Sequence, residues 1–165
     1  MSYNIDLSKL LAEQYKLDKA IQDNHHVSYA DTREERKLAL LVELGEFANA
    51  TRTFKFWSFK PSESKERVLD EFADGLHFLL SLGLAYNFRL DTIEVEADEK
   101  DLTAAILNAY HCIDEFYNCR TLETYANMFV GYLKILATLG YTWKDAYDAY
   151  FLKLEENHHR QETNY

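Results

Sequence analysis

Two carboxylate pairs, Glu43-Leu-Gly-Glu46 and Glu71-Phe-Ala-Asp74, lie in stretches that are otherwise apolar. At about 100° per residue, Leu40, Leu41, Leu44, Phe47 and Ala48 cover one side of a helix, and Leu38, Val42 and Gly45 cover the next sector. Glu43, Glu46 and Asn49 share the remainder with Ala39 and Ala50. A helix apolar almost all round is expected to be buried, and desolvating its acids costs on the order of several kcal/mol per ion unless something compensates. The second stretch repeats the pattern. Glu71 and Asp74, three apart, are adjacent on one helix face, and His77 and Phe78 lie one turn further along it. Each pair has a glycine beside it, Gly45 or Gly75, that permits close approach. Two facing pairs put four carboxylates in one small volume, where they repel and take up protons unless a cation is present. Hard oxygen ligands without cysteine suit magnesium or manganese and not zinc. A lone E-x-x-E is common on solvated helices; the duplication and the apolar surroundings weigh against that reading here.

Two further groups of polar residues stand out. In the first helical stretch Leu7, Leu10, Leu11, Leu17 and Ile21 form an apolar stripe with Gln14 and Asp18 in its middle. A buried amide and a buried acid need partners. They either satisfy backbone groups at a helix crossing or read the edge of a base, since glutamine offers both a donor and an acceptor. Near the C-terminus, Tyr150, Lys153, Asn157, Arg160 and Gln161 fall within about a 100° sector of a helix. The stripe suits phosphate and amide recognition, or it is a solvated end whose cations offset the macrodipole. His25-His26 and His158-His159 are adjacent pairs pointing about 100° apart, so neither makes a shared metal site, and both read as surface residues.

The elements that position these groups are helical. Helices are expected at about 6–23, 32–50, 64–86, 102–118, 122–139 and 143–161, with loops at 24–31 and 51–64 and an acidic, irregular stretch at 87–101. Ser64 flanks the first turn of the third helix, Gly140 is a helix stop, and Thr142 is an N-cap for the last helix. The expected fold is all-α: a bundle of about six helices in a single domain over 1–165, with the metal site between facing helices.

Composition agrees. With 5 Gly and 1 Pro in 165 residues, the chain lacks the turn residues of a sheet-rich fold, and 47% hydrophobic residues rule out a disordered one. The net charge of −10 argues against binding to a nucleic-acid backbone, although a divalent cation can bridge an acidic protein to an anionic substrate. Cys112 and Cys119 lie about two turns apart on one helix, too far to bridge, and are expected as buried thiols in a reducing cytosol. Residues 1–9 are mixed and polar, so no signal peptide is expected there. The longest apolar stretch, 72–86, holds Asp74 and His77 and is too short to span a bilayer. A cytoplasmic protein without membrane association is expected.

Taken together, these motifs resemble those of the dimeric, all-α dUTPases, within the wider all-α nucleoside triphosphate pyrophosphatases that include the MazG-like proteins. The metal motif of that wider group is E-x-x-E, a spacer, then E-x-x-D, here Glu43 to Glu46 and Glu71 to Asp74. Three pieces narrow the resemblance. Leu11-Ala-Glu-Gln14-Tyr-Lys-Leu-Asp18 is similar to the family's L-x-x-Q-x-x-L-N/D, with Asp18 where some members have Asn. Phe54-Lys55-Phe56-Trp57 is similar to the Trp- and Lys-containing stretch after E-x-x-E. Lys153, then Asn157-His158-His159-Arg160-Gln161 and Tyr165, matches K-x-x-x-N-H-x-R-Q-x-x-x-Y, with Asn164 where a Gly often precedes the final Tyr. The segment 87–139 matches only in being helical.

The resemblance implies an obligate homodimer that hydrolyses dUTP, and dUDP as a possible second substrate, between the α and β phosphates. It implies magnesium, with manganese as a substitute, on Glu43, Glu46, Glu71 and Asp74. Glu46 would orient or deprotonate the attacking water. Gln14 and Asn157 would meet the uracil edge, and Phe78 would pack on the deoxyribose. Lys153 and Arg160 would neutralise the β and γ phosphates. Asp18, Lys55, Trp57, Gln161 and Tyr165 complete the implied substrate-binding set. Competing readings are a broader MazG-like pyrophosphatase acting on another nucleotide, a helical interaction module with an inactive site, and a structural bundle with satisfied buried acids.

Overall fold

The computed structural model describes residues 2–97 and 101–165. The order is β1 Ser2–Asp6, α1 Ser8–His25, α2 Arg33–Thr51, α3 Lys65–Tyr86, β2 Thr92–Glu96, α4 Leu102–Asn118, α5 Leu122–Leu139 and α6 Trp143–Glu162, with a 3-10 turn at Ala30–Thr32. Side chains close the helix ends as their types dictate. Ser64 Oγ accepts from Arg67 N at 3.2 Å, Thr142 and Asp145 form a reciprocal capping box, and Gly140 ends α5 at φ 71°.

The axis of the molecule is α3. Phe72, Leu76, Leu79, Leu80 and Leu82 along it are fully buried, each such side chain contributing about 1.5–3 kcal/mol on removal from water. α2 and α6 pack against α3, and α1 packs against both α3 and α6. α4 and α5 form a hairpin whose second helix grips α3 through two fully buried tyrosines. Tyr132 Oη donates to the Phe72 carbonyl at 2.7 Å, and Tyr125 Oη donates to the Leu79 carbonyl at 2.8 Å. The rings lie over Gly75 and Gly83, where an added Cβ would meet Tyr132 Cζ at 2.8 Å and Tyr125 Cζ at 2.7 Å.

The mostly helical architecture agrees with the expectation, but the chain also holds a small sheet. β1 and β2 pair antiparallel, with Tyr3 opposite Val95 and Ile5 opposite Ile93. Ile5, Ile93 and Val95 turn inward, and β2 packs against α5. The stretch expected to be irregular therefore carries a strand, and its period-2 alternation is legible in Thr-Ile-Glu-Val-Glu once its partner is known. Met1 and residues 98–100, the latter in that stretch, lie outside the described residues.

Two further expectations are corrected. α2 is not buried all round: Leu38 and Val42 are 63% and 47% exposed, because α3 covers only one flank. The cysteines are not buried: Cys112 is half-buried, and Cys119, at the end of α4, is exposed. Among the described residues no helix is long and apolar enough to cross a membrane.

Candidate active site

The antiparallel packing of α2 on α3 brings the two acidic pairs together. One carboxylate oxygen each of Glu43, Glu46 and Glu71 lie within 4.8 Å of one another. Glu71 is buried, Glu43 half-buried and Glu46 exposed, so the cluster runs from the interior to solvent. Burial, then the charges of Asp74 and Glu46, push the Glu43 carboxyl up to about 8. Burial also raises Glu71, against the opposing charge of Arg67, which pairs with it directly. Glu43 Oε2 is buried with no hydrogen-bond partner among the described residues. An orphaned carboxylate oxygen beside two further carboxylates is the donor set of a hard divalent cation, so the residues present fit magnesium or manganese.

Asp74, the fourth expected acid, faces the same cleft but is turned toward α6. Lys153 Nζ lies 3.1 Å from Asp74 and 2.7 Å from Asp70. Burial pushes Asp74 up, and the Lys153 charge opposes it. The cleft measures about 340 Å³, with Glu43, Glu46, Asp70, Glu71, Asp74 and Glu156 set against Arg67, Lys153 and Arg160. Such a cleft can hold both a cation and the polyphosphate that the cation bridges.

A second cavity of about 270 Å³ adjoins it, and Asp74 lines both. Its walls are mostly apolar: Leu17 and Ile21 from α1, Val27 from the following loop, Ala39 from α2 and Phe78 from α3. Gln14, Asp18, His77, Ser81, Arg36 and Asn157 supply its polar groups. An apolar slot with a few convergent hydrogen-bonding groups, opening onto a cationic and acidic cleft, has the shape and chemistry of a nucleoside site beside a phosphate site.

The expected residues of α1 and α6 divide between these spaces. Gln14 and Asp18 are each 3% exposed and bond one another, Gln14 Nε2 donating to Asp18 Oδ1 at 2.9 Å. Asp18 also accepts from Tyr29 Oη at 3.0 Å and Ser81 Oγ at 2.8 Å, so neither alternative for this pair, backbone satisfaction or a free base-reading edge, describes it alone. Tyr150 and Lys153 are buried, and the stripe on α6 is not simply a solvated end. Arg160 Nη1 donates to Asn157 Oδ1 at 3.4 Å, and its guanidinium lies 4.8 Å from the Tyr165 ring. Asn164 takes φ 55°, the left-handed turn that brings Tyr165 back over Arg160.

Three expected residues lie apart. Gln161 accepts from Asn24 Nδ2 at 3.2 Å and so ties the end of α6 to that of α1. Lys55 and Trp57 occupy the loop after α2 and line neither cavity; Trp57 is 64% exposed and packs edge-on to Phe54 and Phe56. Conversely, sequence reasoning missed Tyr29, Arg36, Asp70 and Ser81. Only Ser81 carried a signal: a lone hydroxyl in the apolar run of α3, one turn beyond His77.

A family model described as dUTPase matches residues 6–165. No curated protein matches the chain significantly.

Proposed function

The chain belongs to the dUTPase family and is a dUTP diphosphatase; from that footing we propose that it is a magnesium-dependent, homodimeric, cytoplasmic enzyme of one domain over 1–165, with dUDP as a second substrate. The reaction adds water across a phosphoanhydride: a P–O bond forms to the water oxygen, the α–β bridge breaks, and dUMP and pyrophosphate leave. The observation that carries this reading is the junction of the two cavities at Asp74.

Glu43, Glu46, Glu71 and Asp74 would hold magnesium, which supplies Lewis acidity toward phosphate and water when bound, and manganese would serve in its place. The chain's own side chains do the rest. Lys153 and Arg160 neutralise charge on the departing phosphates. Glu46, the most exposed of the acids, receives the proton of the attacking water. Phe78 packs on the deoxyribose where a 2′-hydroxyl would otherwise sit, and Gln14 and Asn157 meet the base. Lys55, Trp57, Gln161 and Tyr165 line neither cavity and would complete the substrate-binding set. The exposed Leu38 and Val42 on α2 and Leu107 on α4 supply apolar surface for a second copy.

The test is pyrophosphate release from dUTP, dTTP, dCTP, UTP and ITP, each with and without magnesium. Preference for dUTP with strict dependence on the metal is expected. Comparable turnover of several triphosphates would favour the broader, MazG-like pyrophosphatase reading.

A further inference from the structure

The amide of Gln14 is almost wholly engaged before any base arrives. Nε2 donates to Asp18 Oδ1 at 2.9 Å, while Oε1 lies 2.6 Å from His77 Nδ1 and 3.1 Å from Tyr150 Oη. Which end faces which neighbour follows from the groups behind. Arg36 Nε donates to Ser81 Oγ at 2.7 Å, which turns the Ser81 hydrogen onto Asp18, where Tyr29 Oη also donates. Burial pushes the Asp18 carboxyl up, against the Gln14, Ser81, Arg36 and Tyr29 groups around it, but both of its oxygens are placed as acceptors, Oδ2 toward the Ser81 and Tyr29 hydroxyls and Oδ1 toward Gln14. A carboxylate accepts only, so it must meet the N–H side of the amide.

The carbonyl side is left to His77. Burial pulls this imidazole down to about 3, so it is neutral and has one ring proton for two oxygen neighbours. Gln14 Oε1 is at 2.6 Å and the Tyr150 carbonyl at 3.3 Å, and the shorter contact takes the proton. Stacking on Tyr150, at 4.2 Å between centroids and 21° between planes, holds the ring in the orientation that aims Nδ1 at Gln14.

We propose that His77 and Asp18 are positioning residues that lock Gln14 as a one-sided donor, offering the pyrimidine a single N–H and no acceptor. The proposal rests on the base-binding role given to Gln14 above. Its consequence is that the base must present a carbonyl at that edge. An amino group there would set donor against donor, and a site built around one hydrogen bond strongly rejects the analogue that cannot make it.

The test compares kcat/KM for dUTP, 2-thio-dUTP and 4-thio-dUTP, a thiocarbonyl being a weak acceptor, in the parent, His77→Leu and His77→Asn. Asparagine can keep an N–H near the position of Nδ1, and leucine removes it. In the parent, one of the two thio substitutions should lower kcat/KM by about tenfold or more. That penalty should persist in His77→Asn and shrink to within about threefold in His77→Leu, where Oε1 has lost its His77 donor and Asp18 alone no longer holds the second N–H at one position. Absence of a penalty at either position in the parent overturns the proposal. So does an unchanged penalty in His77→Leu, which would leave His77 a packing role only. Should leucine prevent folding, the parent itself still decides the matter by NMR. A locked Gln14 gives two well-separated side-chain N–H signals that exchange slowly with solvent, and exchange as fast as that of free glutamine overturns the lock. A parent that does not hydrolyse dUTP at all would instead refute the functional reading, and the exchange measurement would still report on Gln14.

Discussion

Lys153 and Asp74 form an ion pair across the α3–α6 interface, 3.1 Å between Nζ and Oδ2, at a lysine only 5% exposed. Burial alone would lower the lysine pKa, but hydrogen bonds to Asp70 and Asp74 outweigh it and raise it. The ammonium is thus permanently charged at the seam between the two cavities, where the phosphates of a nucleotide would pass.

Replacing Lys153 with Met should therefore lower kcat by on the order of 10²–10³, the effect of removing one charge-stabilising donor from a site. Steady-state kinetics on dUTP check this. A kcat within threefold of the parent's would show that Lys153 serves the fold and not the reaction.

Glu43 gives the pH dependence a sign. Its folded pKa, about 8, lies above the ordinary glutamate value of 4.5, so the folded chain binds more protons than the unfolded chain between those limits. Stability contributed by protonated Glu43 is present at low pH and lost as pH rises toward 8. In EDTA the melting temperature should fall across that window. Glu43→Gln should flatten the fall and remove dUTP hydrolysis, and magnesium should stabilise the parent most at the alkaline end. A melting temperature that rises with pH in EDTA would contradict this assignment.

Phe78 lines the apolar cavity one turn beyond Asp74. Phe78→Ala should reduce the preference for dUTP over UTP chiefly by admitting UTP, an effect of about 1–3 kcal/mol. Competition assays with the two nucleotides measure it. Equal losses on both substrates would mean that the ring packs without selecting.

Light scattering should give about twice the 19.4 kDa chain mass, and Leu38→Glu with Val42→Glu should return it to one chain mass. These residues are 63% and 47% exposed in the single chain, so the exchange costs little in the monomer and much in a buried interface. A parent that runs as a monomer, or a double variant that stays dimeric, would place the interface elsewhere or nowhere.

The helices were legible because their apolar periodicity and caps are local. Expected 102–118 and 122–139 coincide with Leu102–Asn118 and Leu122–Leu139, and Thr142 and Gly140 act as read. The strands escaped because each has five residues and its partner is some ninety positions away. Likewise the apolar face of α2 announces burial, but periodicity does not say which flank a neighbour covers, so Leu38 and Val42 came as a correction. In the candidate site, the acids and Gln14 were visible as polar residues among apolar ones. Arg36, whose Ser81 partner lies 45 positions away, was not, because only tertiary packing joins them.

The tyrosines of α5 have an implication for how α3 keeps its length scale. Gly75 and Gly83 are eight residues apart, and each is spanned by a phenol whose oxygen is bonded to the carbonyl three or four residues earlier. α5 thus works as a two-toothed ratchet that fixes the sliding coordinate of α3. A slip of α3 by one residue would lift both teeth at once, misplacing Glu71, Asp74, His77 and Phe78 together. The α4–α5 hairpin carries none of the candidate site residues, yet a minimised version of this protein that dropped it would lose the register of the helix on which Glu71, Asp74, His77 and Phe78 stand.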